Sequence, residues 1–395
     1  MTTRVVLEIG SATIKGGIAG RHCPHFVVTT PAGLAGTDGA PTRMAYLEVL
    51  QRLFVDHLQL RPKECQVVVV EKMSASRAHR AMLLAVLLRD MQVQAATMQI
   101  DLCLTILAGA PGQTGLVVDI GERETRMMAV AHGRPIIQSL RIVDLGISHA
   151  RQVFAASLLR HLALLGPLDC EQEAAVQSLF ERATLASLPA APAPPADLDV
   201  SAIGLLSPAS FLLPGALRHE PLLVLLRGEA HGSSSSSSSP GTDVEILHTD
   251  GLAGALAESI LSLNHDIRGP VLYHLVVTGG GGCVPGLAEA LCLETSRLIV
   301  HRPRYARLVE GIRKLPEGTL QPAENAFAPA AAAWVGGSLF ARLPDARYNS
   351  QYVTWKDILA RSETSAAEGH ENISVPDWMS LSDTDWRFSR PVCRE

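Results

Sequence analysis

The chain has 395 residues, 47% of them hydrophobic, and a formal net charge of −5. That is enough apolar length for two or more cored domains, while the acidic balance and the lack of a dense Lys/Arg cluster give nucleic-acid binding no electrostatic support. Its longest apolar stretches, such as 82–88, are too short to span a bilayer, and the three apolar residues before Glu8 do not make a signal peptide. Seven scattered cysteines without a C-x-x-C pair point to a reducing compartment, the cytosol.

In chain order, residues 4–9 read as a strand running into a turn at Gly10-Ser11, with a returning strand over 13–19 that stops at Gly20. Residues 29–43 hold Pro31, Gly33, Gly36, Asp38, Gly39 and Pro41, which is loop chemistry. A helix is predicted over 44–58. Four consecutive valines, 67–70, mark a strand buried on both faces. Ser74 or Ser76 is placed to N-cap a helix over 77–91. Residues 116–120 read as another buried strand, and strands over 127–130 and 135–140 flank a His132-Gly133 turn. Residues 147–165 read as helix.

The Pro/Ala-rich stretch 188–197 reads as extended chain, and the seven serines at 233–239 as a flexible loop. Together they bracket a leucine-rich segment that reads as a small inserted subdomain. A helix over 251–264 and a strand over 271–278 lead into Gly279-Gly280-Gly281-Gly282. A helix over 285–293 follows, with Pro285 in its first turn, then an Ala-rich helix over 325–341. Strand–turn–strand units at the start and middle, with helices between, imply an α/β protein of two related halves.

Three motifs carry candidate chemistry. In Glu8-Ile9-Gly10-Ser11-Ala12-Thr13-Ile14-Lys15 a glycine turn exposes backbone N–H groups that can accept phosphate oxygens, glycine allowing close approach and positive φ, and Lys15 adds a point charge. In Val117-Val118-Asp119-Ile120-Gly121-Glu122-Arg123 an acid at a strand end can hold Mg²⁺ through waters. A plain hairpin explains either turn taken alone. The third, Val276 to Gly286, joins a strand to a helix through glycines and Cys283, leaving flat backbone for an adenine ring and phosphates. Cys23-Pro24-His25 offers too few ligands for a metal, His149 and His265 read as ordinary helix residues, and Trp355, Trp378 and Trp386 read as anchors for a partner or for the tail itself.

Taken together these blocks resemble the actin family. Asp266-Ile267-Arg268 with the following glycines is similar to the stretch leading to the actin adenosine loop; Ala333-Trp334-Val335-Gly336-Gly337-Ser338 resembles its Trp-Ile-Gly-Gly-Ser helix, and Lys15-Gly16-Gly17-Ile18-Ala19-Gly20 its Lys-x-Gly-Phe-Ala-Gly. The resemblance covers about residues 4–345 and implies the actin, sugar-kinase and heat-shock ATPase fold. It implies a first half over 1–141, a second over 142–325 with an insertion near 180–250, a return helix over 326–345 and an extension over 346–395. It also implies ATP or ADP bound by Gly10, Ser11, Lys15, Asp119, Gly121, Glu181, Gly279, Gly280, Gly281 and Cys283, with Mg²⁺ held through water by Glu8 and Asp119, or else a site left empty.

Departures from the pattern matter. Actins have Asp at Glu8 and Gly-Asp-Gly at Gly121-Glu122-Arg123. The glutamine that positions their attacking water falls at Asp101 or Leu102, and the lysine of a Lys-Glu pair is Phe180, beside Glu181. ATP hydrolysis is therefore not expected.

Only 46 residues, 21–66, lie between Gly20 and Val67, so most of subdomain 2 is missing. That deletion, and Val375-Pro376-Asp377-Trp378-Met379-Ser380-Leu381, resemble the branch of actin-related proteins at the pointed end of dynactin. The resemblance implies a non-polymerising cap on an actin-like filament, working with other pointed-end subunits and indirectly with dynein, in the cytoplasm on microtubules or at the centrosome. The alternatives are an active ATPase or kinase of the same fold, and an actin-related subunit of a chromatin remodeller.

Overall fold

The computed structural model describes residues 2–35, 42–161, 170–183, 197–200, 211–228, 250–343, 352–354 and 356–357. The chain divides into two compact units, 1–109 with 331–395, and 110–330. Residues 110–141, grouped with the first half on sequence, thus pack in the second unit. The serine run and the last three dozen or so residues, including the Pro-Asp-Trp stretch, lie outside the described residues, as do 188–196.

The first unit is built on β1 (Thr3–Ile9), β2 (Thr13–Ile18), β3 (Phe26–Thr29), β4 (Cys65–Glu71) and β5 (Ala95–Ile100), in the order β3-β2-β1-β4-β5. β1, β2 and β3 are antiparallel; β1, β4 and β5 are parallel. The valine run sits in β4 and all four side chains are buried, as a central parallel strand requires. One core gathers Val5, Leu7, Val67 and Val69 against α1 (Arg43–Arg52) and α2 (Arg77–Ala85). Thr42 caps α1, its hydroxyl accepting from the Ala45 N–H at 3.2 Å, and Ser76 caps α2, accepting from the His79 N–H at 3.2 Å. Both helices continue as π-helical turns, Leu53–Leu58 and Val86–Asp90. Between β3 and β4 the described residues contain only the Ala32–Ala35 turn, α1 with its π continuation and the Pro62–Glu64 turn.

α3 (Asp101–Gly109) packs on the Ala332–Phe340 helix. A Cβ on Gly336 would lie 1.9 Å from the Leu104 carbonyl oxygen, so the two helix backbones are in direct contact. Trp334 is fully buried and donates its indole N–H to the Val6 carbonyl at 3.1 Å; Gly17 is glycine because a Cβ there would meet the Trp334 ring at 2.8 Å. Ser338 Oγ accepts from the Gly20 N–H and donates to the Arg21 carbonyl, both at 2.8 Å. The two sequence blocks 15–20 and 333–338 are therefore the two sides of one packing contact. The helix is shorter than 325–341 because the chain before it is drawn to a strand: the Pro329 carbonyl accepts from the Thr278 hydroxyl at 2.6 Å and the Gly279 N–H at 3.3 Å. At the other edge of the first sheet, Val353 exchanges backbone hydrogen bonds with Ala96 at 2.8 and 2.9 Å.

The second unit has β6 (Gly115–Ile120), β7 (Thr125–Ala131) and β8 (Arg134–Val143) antiparallel, with β11 (Leu275–Thr278) added parallel to β6, giving β11-β6-β7-β8. This is the order β4-β1-β2-β3 of the first sheet, so the two halves share one four-stranded topology. The short hairpin of β9 (Leu198–Val200) and β10 (Phe211–Leu213) falls in the leucine-rich segment. Core residues of β6, β7 and β11 pack with α4 (Ile147–His161), α5 (Cys170–Ala183), α6 (Gly215–Arg227), α7 (Gly251–Leu261), α8 (His265–Leu272) and α9 (Leu287–His301). Residues 271–272, read as strand, close α8 instead. Val271 and Leu272 are buried, so their apolar character fits a core helix as well as a strand. Among the described residues no helix is long and apolar enough to cross a membrane.

Gly336→Ala is expected to destabilise the first unit by at least about 1–3 kcal/mol, the cost typical of overpacking, because the obstacle is backbone that cannot rotate away. Chemical denaturation of the variant against wild type measures it.

Candidate functional site

Both candidate phosphate turns are four-residue hairpin loops of one design. Ile9 pairs with Ile14 across residues 10–13, and Ile120 with Thr125 across residues 121–124. The Gly10 N–H donates to the Thr13 carbonyl at 2.9 Å and the Gly121 N–H to the Glu124 carbonyl at 3.0 Å. A Cβ at Gly10 would sit 2.8 Å from Thr13 O, and one at Gly121 2.9 Å from Glu124 O. Neither glycine has a positive φ, contrary to the sequence expectation. Glycine is demanded by the returning strand's carbonyl, not by a left-handed turn.

Behind each loop an acid faces a base in register. Glu8 stands opposite Lys15 and Asp119 opposite Arg126. Each pair forms a close ion pair, with Arg126 4% and Asp119 15% exposed. Directly opposed side chains are the contact unit of a sheet, so the acid two residues before the loop and the base two residues after it meet by construction. Lys15, expected on phosphate, is on Glu8; Asp119, expected on Mg²⁺ through water, is on Arg126. Arg126 also lies 3.5 Å from Glu124. It was missed on sequence, although the acid-to-base spacing of seven residues across a four-residue loop repeats that of Glu8 and Lys15.

The second loop is further tied to α4. The Ile147 and Ser148 N–H groups donate to the Gly121 and Glu122 carbonyls at 3.0 and 2.9 Å, satisfying helix-end donors. The Glu122 carboxylate is held by Arg151 at 2.8 and 3.3 Å, and that guanidinium lies 5.9 Å from the centre of the Phe180 ring. Arg123 is exposed. Glu181 is on α5 and exposed, accepting from Gln177 at 3.1 Å.

The glycine run belongs to the same neighbourhood. A Cβ on Gly279, where φ is +84°, would meet the Asp119 carboxylate at 2.3 Å, and one on Gly281 would meet the Ile120 side chain at 2.3 Å. Only Gly280 of these three faces open space. Two of the three glycines are thus required for packing on the second hairpin. Cys283 is exposed, its sulfur 3.9 Å from the Gly279 carbonyl. The structure brings together Asp119, Gly121, Gly279, Gly280 and Gly281 in the second unit, and Glu8, Gly10, Ser11 and Lys15 in the first.

The fit to a magnesium nucleotide can be tested on these contacts. Both acids that would hold the ion already carry a cation of the chain itself, and the one buried oxygen of the pair left without a hydrogen-bond partner, Glu8 Oε2, is too little for an octahedral divalent ion.

Within the first unit a cleft of about 310 Å³ opens beside Ser11, lined by Tyr46, Glu71, Ser74, Ser76 and His79 among others. Fully buried Arg80 binds the Glu71 carboxylate at 2.8 Å and the Met73 carbonyl at 3.3 Å. Burial pushes Glu71 up to about 7 despite Arg80, and the charge of Asp101 adds to the rise. Burial lowers His79, and Arg80 lowers it further; its ring lies 3.4 Å from the Tyr46 hydroxyl. Of the two positions aligned with the hydrolytic glutamine, Leu102 is buried in the core at 1% exposure, and Asp101 is buried with its carboxylate accepting from the Leu102 N–H at 2.8 Å.

These geometries agree with the family match. The chain belongs to the actin family: the model described as Actin matches residues 43–167 and 218–354. The matched residues include the second hairpin and the glycine run but begin after the first hairpin. Among curated proteins the chain is similar to the SWI/SNF and RSC complexes subunit arp42 of Schizosaccharomyces pombe, 37% identical over 93 residues. That match spans 24% of this chain and 19% of the yeast protein.

Glu71 sets a pH prediction. The folded chain keeps its proton to about pH 7, while the unfolded chain releases it near 4.5, so the folded state binds the extra proton in between. Stability contributed by this group therefore falls as pH rises across that window and is flat above it. Glu71→Gln is expected to abolish this fall between about pH 4.5 and 7, while lowering stability throughout because it takes the carboxylate from the fully buried Arg80. Denaturant melts of both proteins across that range check it, and His79, common to both, cancels in the difference.

Proposed function

We propose that this chain is a non-polymerising, non-hydrolysing actin-related subunit of a multi-subunit assembly, most like actin-related protein 10, which caps the pointed end of dynactin's actin-like filament. The observation that carries this reading is the short connection between β3 and β4. An actin-type filament grows because subdomain 2 of one subunit receives the barbed face of the next. Between β3 and β4 the described residues hold only helical segments where that lobe would be. A subunit with this truncation can dock on a filament end and offers no complete face for another to follow. The Pro-Asp-Trp stretch at 376–378 supports the same branch.

Absence of hydrolysis is part of the proposal. Leu102 has no group to orient a water, and Asp101 would set a second negative charge where an attacking water must be steered toward phosphate. The role follows as architecture in the cytoplasm, alongside other pointed-end subunits and in support of dynein-driven transport. A second reading, a subunit of a chromatin remodeller, is favoured by the similarity to arp42.

Partner capture separates the two. A tagged chain expressed in its own cells is expected to co-purify with filament and pointed-end subunits of dynactin; remodeller subunits in their place would reverse the assignment. The purified chain is expected to stay in the supernatant of a sedimentation assay under conditions that pellet actin, and self-assembly into filaments would defeat the capping reading altogether.

A further inference from the structure

We propose that both hairpins carry their own counter-ions, and that Arg126 stands where a divalent cation would have to act, so that this actin fold holds together without magnesium nucleotide. The second loop carries this, and the first, whose lysine the actin pattern shares, shows the same pairing. In the first, Lys15 neutralises Glu8. In the second, Arg126 sits on Asp119 and near Glu124, while Arg151 holds Glu122. Each of these acids thus meets a cation of the chain, Arg126 serving both Asp119 and Glu124. A hard divalent cation takes anionic oxygen ligands, directly or through water, and competes here with a guanidinium that is covalently tethered in register and 4% exposed. Freeing Asp119 would take from the buried Arg126 its closest carboxylate, and breaking a buried pair by removing one partner is strongly destabilising.

The backbone agrees with the charges. The Gly10 and Gly121 N–H groups, the first donors each turn could offer an anion, are spent on closing their own loops. Gly279 packs against the Asp119 carboxylate from the other side, which leaves Asp119 enclosed between the glycine run and Arg126. In a fold whose relatives use the bound ion to hold such turns, the same service is performed by two side chains opposite the acids.

The full chain tests this directly. Wild type is expected to release no stoichiometric ATP or ADP on denaturation, to melt at the same temperature with EDTA or with millimolar Mg·ATP, and to bind no Mn²⁺ by electron paramagnetic resonance. Arg126→Ala exposes the Asp119 charge: it is expected to melt lower, to recover several degrees with Mg²⁺, and to bind Mn²⁺, while Arg126→Lys keeps the metal-blind behaviour. Nucleotide released from wild type, or an EDTA-induced drop in its melting temperature, would overturn the proposal. So would an Arg126→Ala protein that folds and still ignores Mn²⁺. If Arg126→Ala does not fold, the wild-type measurements decide alone. These readouts do not depend on which partners the chain has, so their failure is separate from failure of the capping assignment.

Discussion

The candidate site rests on a cross-strand constraint. In an antiparallel hairpin closed by four residues, the residue one step before the loop-flanking pair is opposite the residue one step after it. Glu8 and Lys15 obey this in the first sheet, Asp119 and Arg126 in the second. No long-range packing is needed to bring them together; the register does it. Register in turn depends on Gly10 and Gly121, because a side chain at either would collide with the carbonyl that closes the loop. In the second unit the glycine run and the start of α4 pack on the Gly121 turn.

A second constraint holds the first unit's opposite face. The Ala332–Phe340 helix returns from the far end of the chain and lies on β1, β2 and α3 at backbone contact distance. Trp334 and Ser338 satisfy their polar atoms on strand and loop backbone, so a large aromatic is buried without an orphaned donor. This contact accounts for Gly17, Gly336 and Gly337, and the Phe26 ring accounts for Gly16, without reference to any ligand. Family signature and nucleotide chemistry are therefore separable in this chain: several of the residues that identify the fold are there to let backbones approach.

Much of the fold was legible in sequence because its strongest signals are local. A run of β-branched valines reads as a doubly buried strand, and Ser76 is one of the two serines placed to cap the helix after it. Residues 271–272 were misread because buried apolar residues look alike in a strand and in a core helix. The start of the last helix was misplaced because alanine content cannot register that Pro329 is hydrogen-bonded to Thr278 and Gly279. The boundary near 110 escaped because it depends on which sheet β6 joins, a long-range pairing with β11. At the site, the glycines were visible but the reason for them was not. Arg126 was discoverable only by treating Glu8–Lys15 as a template and looking for its echo.

The same separation bears on how such a subunit can change partners or lose chemistry while keeping its shape. A fold that relies on a diffusible ion and nucleotide to hold its turns is coupled to their supply, since anything that binds only the folded state adds stability by mass action. A fold that replaces them with tethered cations is released from that coupling, and also from any change of state that a bound nucleotide could drive. Substitution is easiest where topology already sets a base opposite an acid, as it does twice here. Glu for Asp at position 8 fits this logic: the longer side chain reaches its cross-strand partner, a geometry that an octahedral ion shell would resist and a flexible lysine accepts. Glu8 and Asp119 are alike in this respect: each is met, across its own hairpin, by a base that the strand register sets opposite it.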